Sequence, residues 1–228
     1  LQSAEDAATL GPAGQRACGL ELMDRLAQLH AVDPDAVGLA GFGRAEGYLE
    51  RQVRRWSDQW TRVRTRDAGE PLELARRLRA SLPARSERAI VHGDFRLDNV
   101  ILAPDSVSVR AIVDWEMATL GDPLADLGMA LVYWDPLTEP VLGVRHIRAV
   151  ANQFPSADEM ARRYAEASGR AVDDLDFYVA LACYKLAVIA EGIHQRYLAG
   201  ATVGGGFSTL GAAVMPLLHA GLARVSAS

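Results

Sequence analysis

The sequence has 228 residues, half of them apolar and 23% charged, the balance of an ordinary globular chain with room for one large domain or two small ones. Acidic residues outnumber basic ones 29 to 24, a formal net charge of −5, which excludes a nucleic-acid binder held by overall charge. Cys18 and Cys183 lie far apart with no C-x-x-C, so neither a disulfide framework nor a zinc site is expected, and the one lysine, Lys185, lacks the glycines of a phosphate-binding P-loop.

The first residues, LQSAEDAATL, lack the basic and apolar regions of a signal peptide, so a reducing, cytoplasmic location is expected. Residues 13–30 are predicted to be helical, with Leu22, Leu26 and Leu29 on one face. Ala31–Gly47 is rich in Gly and Asp and reads as a loop, and its Gly41-Phe42-Gly43 carries no nucleotide fingerprint. Residues 47–66 give the clearest amphipathic helix. Leu49, Val53, Trp56, Trp60 and Val63 step by 4, 3, 4 and 3, while Arg51, Arg54, Arg55, Arg62 and Arg64 cover the other faces. Such a basic helix could hold an anionic substrate, but a solvated arginine face over a core stripe is the preferred reading. Pro71 starts a further helix that ends near Leu82.

The middle of the chain changes character. Ala89–Val91, Val100–Leu102 and Val109–Val113 are short apolar runs that read as strands. Asp122-Pro123 reads as an N-cap and first helical position, with a helix following over Leu124–Trp134. Residues 156–168 form a polar helix ended by Gly169. A long apolar helix spans Leu175–Leu198 and a last one about Phe207–Val225, with Gly204-Gly205-Gly206 as a hinge between them. The apolar run Val179–Ala190 contains Cys183 as a buried thiol, and Lys185 interrupts it, which makes it too short to cross a bilayer. The fold class expected is α+β, mainly helical, with a small strand patch at 89–116.

That patch carries the chemistry. His92-Gly93-Asp94-Phe95-Arg96-Leu97-Asp98-Asn99 follows one strand, and Asp114 comes fifteen residues after Asn99, within Val113-Asp114-Trp115-Glu116. Asp94, Asn99 and Asp114 are hard oxygen ligands at strand ends, a set that suits Mg²⁺ bound with few protein groups plus substrate phosphates. Phosphoryl transfer asks for little else: a base at the attacking hydroxyl and charge neutralisation at the phosphates.

Asn99 stands five residues after Asp94, the spacing of the protein-kinase catalytic loop, with Gly93 in place of its arginine and Asp114-Trp115-Glu116 in place of D-F-G. His92-Gly93-Asp94 with Asn99, then Asp114-Trp115, then Gly121-Asp122-Pro123-Leu124-Ala125-Asp126-Leu127, resembles the aminoglycoside phosphotransferase and choline kinase-like family. Gly47–Trp56 and Leu29-His30-Ala31-Val32-Asp33 are similar to phosphotransferases related to the amino-terminal kinase domain of some acyl-CoA dehydrogenase family members. The resemblance implies the carboxy-terminal lobe of a protein kinase-like fold over residues 1–228, ATP as co-substrate, Mg²⁺, and a small-molecule hydroxyl acceptor, with no nucleic-acid or membrane partner. A hydroxyacyl-CoA or an aminoglycoside-like molecule would be that acceptor.

By the same resemblance Asp94 is the base, Asn99 and Asp114 bind Mg²⁺ and nucleotide, and His92 holds the loop in shape. Asp126 braces that loop. Arg96 either stabilises developing charge or is a surface arginine. Glu116 and Asp98 read as solvated. Tyr133, Trp134 and Tyr184 are equally core residues or pocket walls. His30, His146, His194 and His219 have no metal-ligand spacing. The resemblance also implies an amino-terminal lobe with a glycine-rich loop and a lysine, and nothing before Asp94 matches it, so a fragment with negligible ATP turnover by itself is expected. A non-catalytic, pseudokinase-like binding lobe is the main alternative, and a metal-dependent phosphohydrolase a third.

Overall fold

The computed structural model of the protein describes residues 9–142, 153–201 and 209–226. The chain starts with α1 (Gly11–His30), which buries Leu22, Met23 and Leu26 while Leu29 stays half-exposed. A run of turns leads to α2 (Tyr48–Val63). Its five-residue apolar stripe from Leu49 to Val63 is buried throughout, each large side chain worth about 2–3 kcal/mol in burial, and Arg54, Arg55, Arg62 and Arg64 are exposed. At its end the buried Glu191 carboxylate accepts from the Thr65 N–H (2.6 Å) and pairs with Arg66 (2.9 Å). Then comes α3 (Glu70–Ala80), with Pro71 in its first turn.

The strand region is two separate two-stranded antiparallel ribbons. In one, β1 (Ala89–Val91) pairs with β4 (Thr119–Gly121), Ile90 opposite Leu120. In the other, β2 (Val100–Leu102) pairs with β3 (Val109–Ile112), with a register shift between Ile101 and Leu102. The sequence reading lacked β4, and β3 stops one residue short of the predicted Val113. Asp122 caps α4 (Pro123–Tyr133) by accepting from the Leu124 N–H at 3.0 Å.

The short α5 (Glu139–Leu142) is followed by α6 (Ala157–Ser168), which opens on a reciprocal Ser156–Glu159 capping box and ends at Gly169 in the left-handed conformation. α7 (Leu175–Leu198) is the central helix, packed by α8 (Leu210–Arg224), α4 and α2. Its 24 residues are long and apolar enough to span a membrane, contrary to the sequence reading, but 78% of its apolar window is buried inside the molecule. Cys183 lies in that core, its thiol pushed up to about 12 by burial. Trp134 and Tyr184 are core residues, and the Trp134 indole N–H donates to the Pro155 carbonyl at 2.8 Å. The last predicted helix began at Phe207; that residue, the Gly204–Gly206 hinge and His146 lie outside the described residues. The fold is α+β and mainly helical, and both ribbons bring their ends to one place.

Candidate active site

The loop joining β1 to β2 alternates in burial. Phe95 and Leu97 point into the core, which leaves Asp94 and Arg96 half-buried and Asp98 exposed on the outer side. A single 3-10 turn, Leu97–Asn99, returns the chain to β2. Gly93 sits at φ 84°, and a Cβ there would lie 2.6 Å from the Met117 carbonyl oxygen, so no side chain fits.

Asp126 holds the start of the loop. Its carboxylate, on the first turn of α4, accepts from the backbone N–H of His92 (2.5 Å) and of Gly93 (2.8 Å). His30 Nε2 lies 3.3 Å from the same carboxylate, and His30 Nδ1 lies 2.7 Å from the Tyr164 hydroxyl. Burial pushes Asp126 upward, but His30 and the two amides outweigh it and hold the carboxyl below its usual range. His30, which sequence spacing left without a role, thus ties α1 and α6 to the loop.

His92 is fully buried and both ring nitrogens are engaged. Nε2 donates to the Val113 carbonyl (2.9 Å), and Nδ1 accepts from the Asp94 N–H (3.3 Å). Carbonyls only accept and amides only donate, so the ring is the neutral Nε2–H tautomer. His92 therefore shapes the loop and has no nitrogen left for a reacting group.

Asp94 is the centre of the outer side. The Tyr133 hydroxyl donates to its Oδ1 (2.6 Å) and Asn99 Nδ2 donates to its Oδ2 (3.1 Å), with a second bond to its backbone carbonyl (2.8 Å). Arg96 is half-buried: its Nε lies 3.8 Å from Asp94 Oδ2, its Nη1 lies 3.6 Å from Asp98 Oδ2, and its guanidinium stacks 5.3 Å from the Tyr133 ring. Burial and the neighbouring Asp94 charge push the Tyr133 phenol far above its usual range and keep it a donor. Of the three aromatics weighed from sequence, only Tyr133 reaches this site.

Asp114 follows Val113, whose N–H donates to the Asn99 carbonyl at 2.9 Å, so the backbone carries Asp114 beside Asn99. Among the described residues Asp114 is the one non-glycine at positive φ (66°), a conformation Asp tolerates at a cost of about 1 kcal/mol, and its side chain is exposed. With its nitrogen committed to Asp94, Asn99 has its amide oxygen for a cation. No group of three or more His, Cys, Asp or Glu converges among the described residues. Asn99, Asp114 and Asp94 instead make a sparse oxygen set, which fits Mg²⁺ held largely by phosphates and water. Glu116 and Asp98 are exposed.

Behind the loop stands Lys185, which the sequence showed only as a charge interrupting an apolar run. Its Nζ donates to the Gly93 carbonyl at 2.7 Å and lies 5.8 Å from the Trp56 ring centre. Burial pulls its ammonium below the usual lysine range, against the opposing pull of the Asp94 and Asp126 carboxylates.

A base-like carboxylate with fixed donors, a cation-ready amide and carboxylate, and a facing guanidinium are the parts that phosphoryl transfer uses. A family model described as "Phosphotransferase enzyme family" matches residues 2–174. Acyl-CoA dehydrogenase family member 11 of Gallus gallus is 37% identical over 219 residues, covering 93% of this chain and 28% of that protein. Family member 10 of Mus musculus is 34% identical over 194 residues, 84% of this chain and 18% of that protein. The chain thus spans under a third of the length of these relatives. A Ralstonia eutropha structure, provisionally described as an aminoglycoside phosphotransferase, superposes with a TM-score of 0.84 at 29% identity, covering 93% of this chain and 66% of its own. A choline/ethanolamine kinase family protein from Mesorhizobium loti shares the fold, with a TM-score of 0.59 at 18% identity over 97% of this chain and 69% of its own. By the family match and these relatives together, the chain belongs to the phosphotransferase enzyme family.

Proposed function

We propose that this chain is the carboxy-terminal, acceptor-binding lobe of an ATP-dependent phosphotransferase acting on a hydroxyl group of a small molecule. The observation that carries the reading is the Asp94 carboxylate, fixed by Asn99 and Tyr133 and faced by Arg96. The acceptor hydroxyl gives its proton to Asp94 while its oxygen bonds the terminal phosphorus, and the bridging P–O bond to ADP breaks. Tyr133 and Asn99 orient the carboxylate, and Arg96 offsets charge that develops on the transferred group. Bound Mg²⁺, held by Asn99 and Asp114, would neutralise charge on the phosphates. His92, Asp126 and Lys185 keep the loop backbone in place.

The name shared by the relatives supports a hydroxyl carried on an acyl-CoA as acceptor. The name of the Ralstonia structure supports an aminoglycoside-like alcohol as the second reading. A non-catalytic binding lobe has no need of this complete set of held side chains.

The test is phosphorus NMR of the whole gene product with ATP, Mg²⁺ and candidate alcohols. Asp94→Ala should reduce acceptor-dependent ADP formation by about 10²–10⁴-fold. Turnover that survives the substitution overturns the reading, and phosphate release without any acceptor would favour a hydrolase.

A further inference from the structure

A groove runs between α2 and α7, away from the 92–99 loop. At the loop end is a pocket of about 30 Å³ bounded by Tyr48, Gln52, Trp56, Gly93 and Lys185, room for a single water. On the far side of Trp56 it gives way to a cavity of about 290 Å³ bounded by Arg55, Trp56, Gln59, Ile189, Gly192 and Arg196. Lys185, Ile189, Gly192 and Arg196 step by 4, 3 and 4, one face of α7, and span about 16 Å at the helical rise. Trp56 borders both spaces.

The wider cavity carries two guanidinium groups and no carboxylate in its wall. The Arg55 guanidinium lies 5.4 Å from the Trp56 ring centre. Neither Arg55 nor Arg196 has a carboxylate partner among the described residues, whereas Arg66, Arg88 and Arg163 are paired with Glu191, Asp35 and Asp24. Two unpaired arginines facing one cavity favour an anion and disfavour a polycation, because a cationic guest would meet only like charge. Arginine forks suit phosphate in particular.

We propose that Arg55 and Arg196 form a phosphate-binding subsite for the acceptor. On this assignment the acceptor is an elongated alcohol whose distal phosphate ends between the two arginines, with Trp56 and Ile189 beside its apolar part. The role as acceptor rests on the phosphotransferase reading; the subsite itself rests on the groove and its charge.

Calorimetric binding to the whole protein at low salt tests it with three probes. These are 3-hydroxybutyryl-CoA, the same hydroxyacyl group on pantetheine, which carries no phosphate, and the polycation kanamycin. The CoA ester should bind about tenfold or more tighter than the pantetheine ester, and added salt should shrink that margin. Both arginines are exposed, so the Arg55→Gln, Arg196→Gln double variant should fold, lose the margin and keep its affinity for the pantetheine ester. Equal binding of the two esters, an unchanged margin in the double variant, or tighter binding of kanamycin would overturn the subsite. Asp94-dependent transfer to both esters with equal affinity would sink the subsite and leave the chemistry standing. An intact margin with no Asp94-dependent transfer would do the reverse.

Discussion

At the scale of single residues, Asp94 is positioned by a side chain from another element. The Tyr133 phenol stays protonated because burial and the Asp94 charge both oppose its ionisation, so its donated bond persists across the working pH range. Tyr133→Phe should therefore lower kcat roughly tenfold, the worth of a hydrogen bond to a charged group, with little change in the KM for nucleotide. Because the phenol does not titrate there, the alkaline limb of the rate profile should match that of the unmodified protein. A lost alkaline limb in the variant would contradict this. His92, Asp94, Asn99 and Asp114 were legible as a set because they fall within one 23-residue stretch whose spacing carries the chemistry. The contacts of Tyr133 and Lys185 with the loop were not, because these residues arrive from the end of α4 and the middle of α7, and no local periodicity encodes a contact between positions 39 or 92 apart. Lys185 left one faint trace, a single cation inside an apolar run.

At the scale of elements, the helices were readable where one face had to be buried. The 3- and 4-residue steps of α2 carry Leu49 to Val63 into the core, and α7 begins and ends where its apolar pattern does. The strand β4 escaped notice because Thr119-Leu120-Gly121 is too short to show alternation; its pairing with β1 makes it a strand. The arginines of α2 are mostly solvated, as their pattern suggested, yet Arg55 also borders the groove, a distinction that helical spacing cannot make. Where α4 crosses α7, a Cβ at Gly128 would sit 2.7 Å from the Tyr178 backbone, and the two helices approach closely only because it is absent. Gly128→Ala should cost about 1–3 kcal/mol in urea unfolding, since backbone cannot step aside as a flexible side chain does. A neutral result would mean that the two helices separate freely.

At the scale of the whole molecule, the site and the core are joined through Asp126. Its carboxyl is held below its usual range in the folded protein, so its contribution to stability is complete above the unfolded value near pH 4 and is lost as the pH falls through the lower folded value. Asp126→Asn should destabilise the protein by about 3–5 kcal/mol at neutral pH, because it strips the buried amides of His92 and Gly93 and the His30 ring of their charged partner. Thermal melts of the two proteins should converge as the solution is acidified below pH 4, and a constant gap down to pH 2 would refute this role. The chain of contacts from Tyr164 through His30 and Asp126 to the loop amides has a reciprocal side. Whatever a guest molecule gains by settling on the outer side of that loop is shared backwards through the carboxylate, so two helices that never meet the guest are quietened by its arrival.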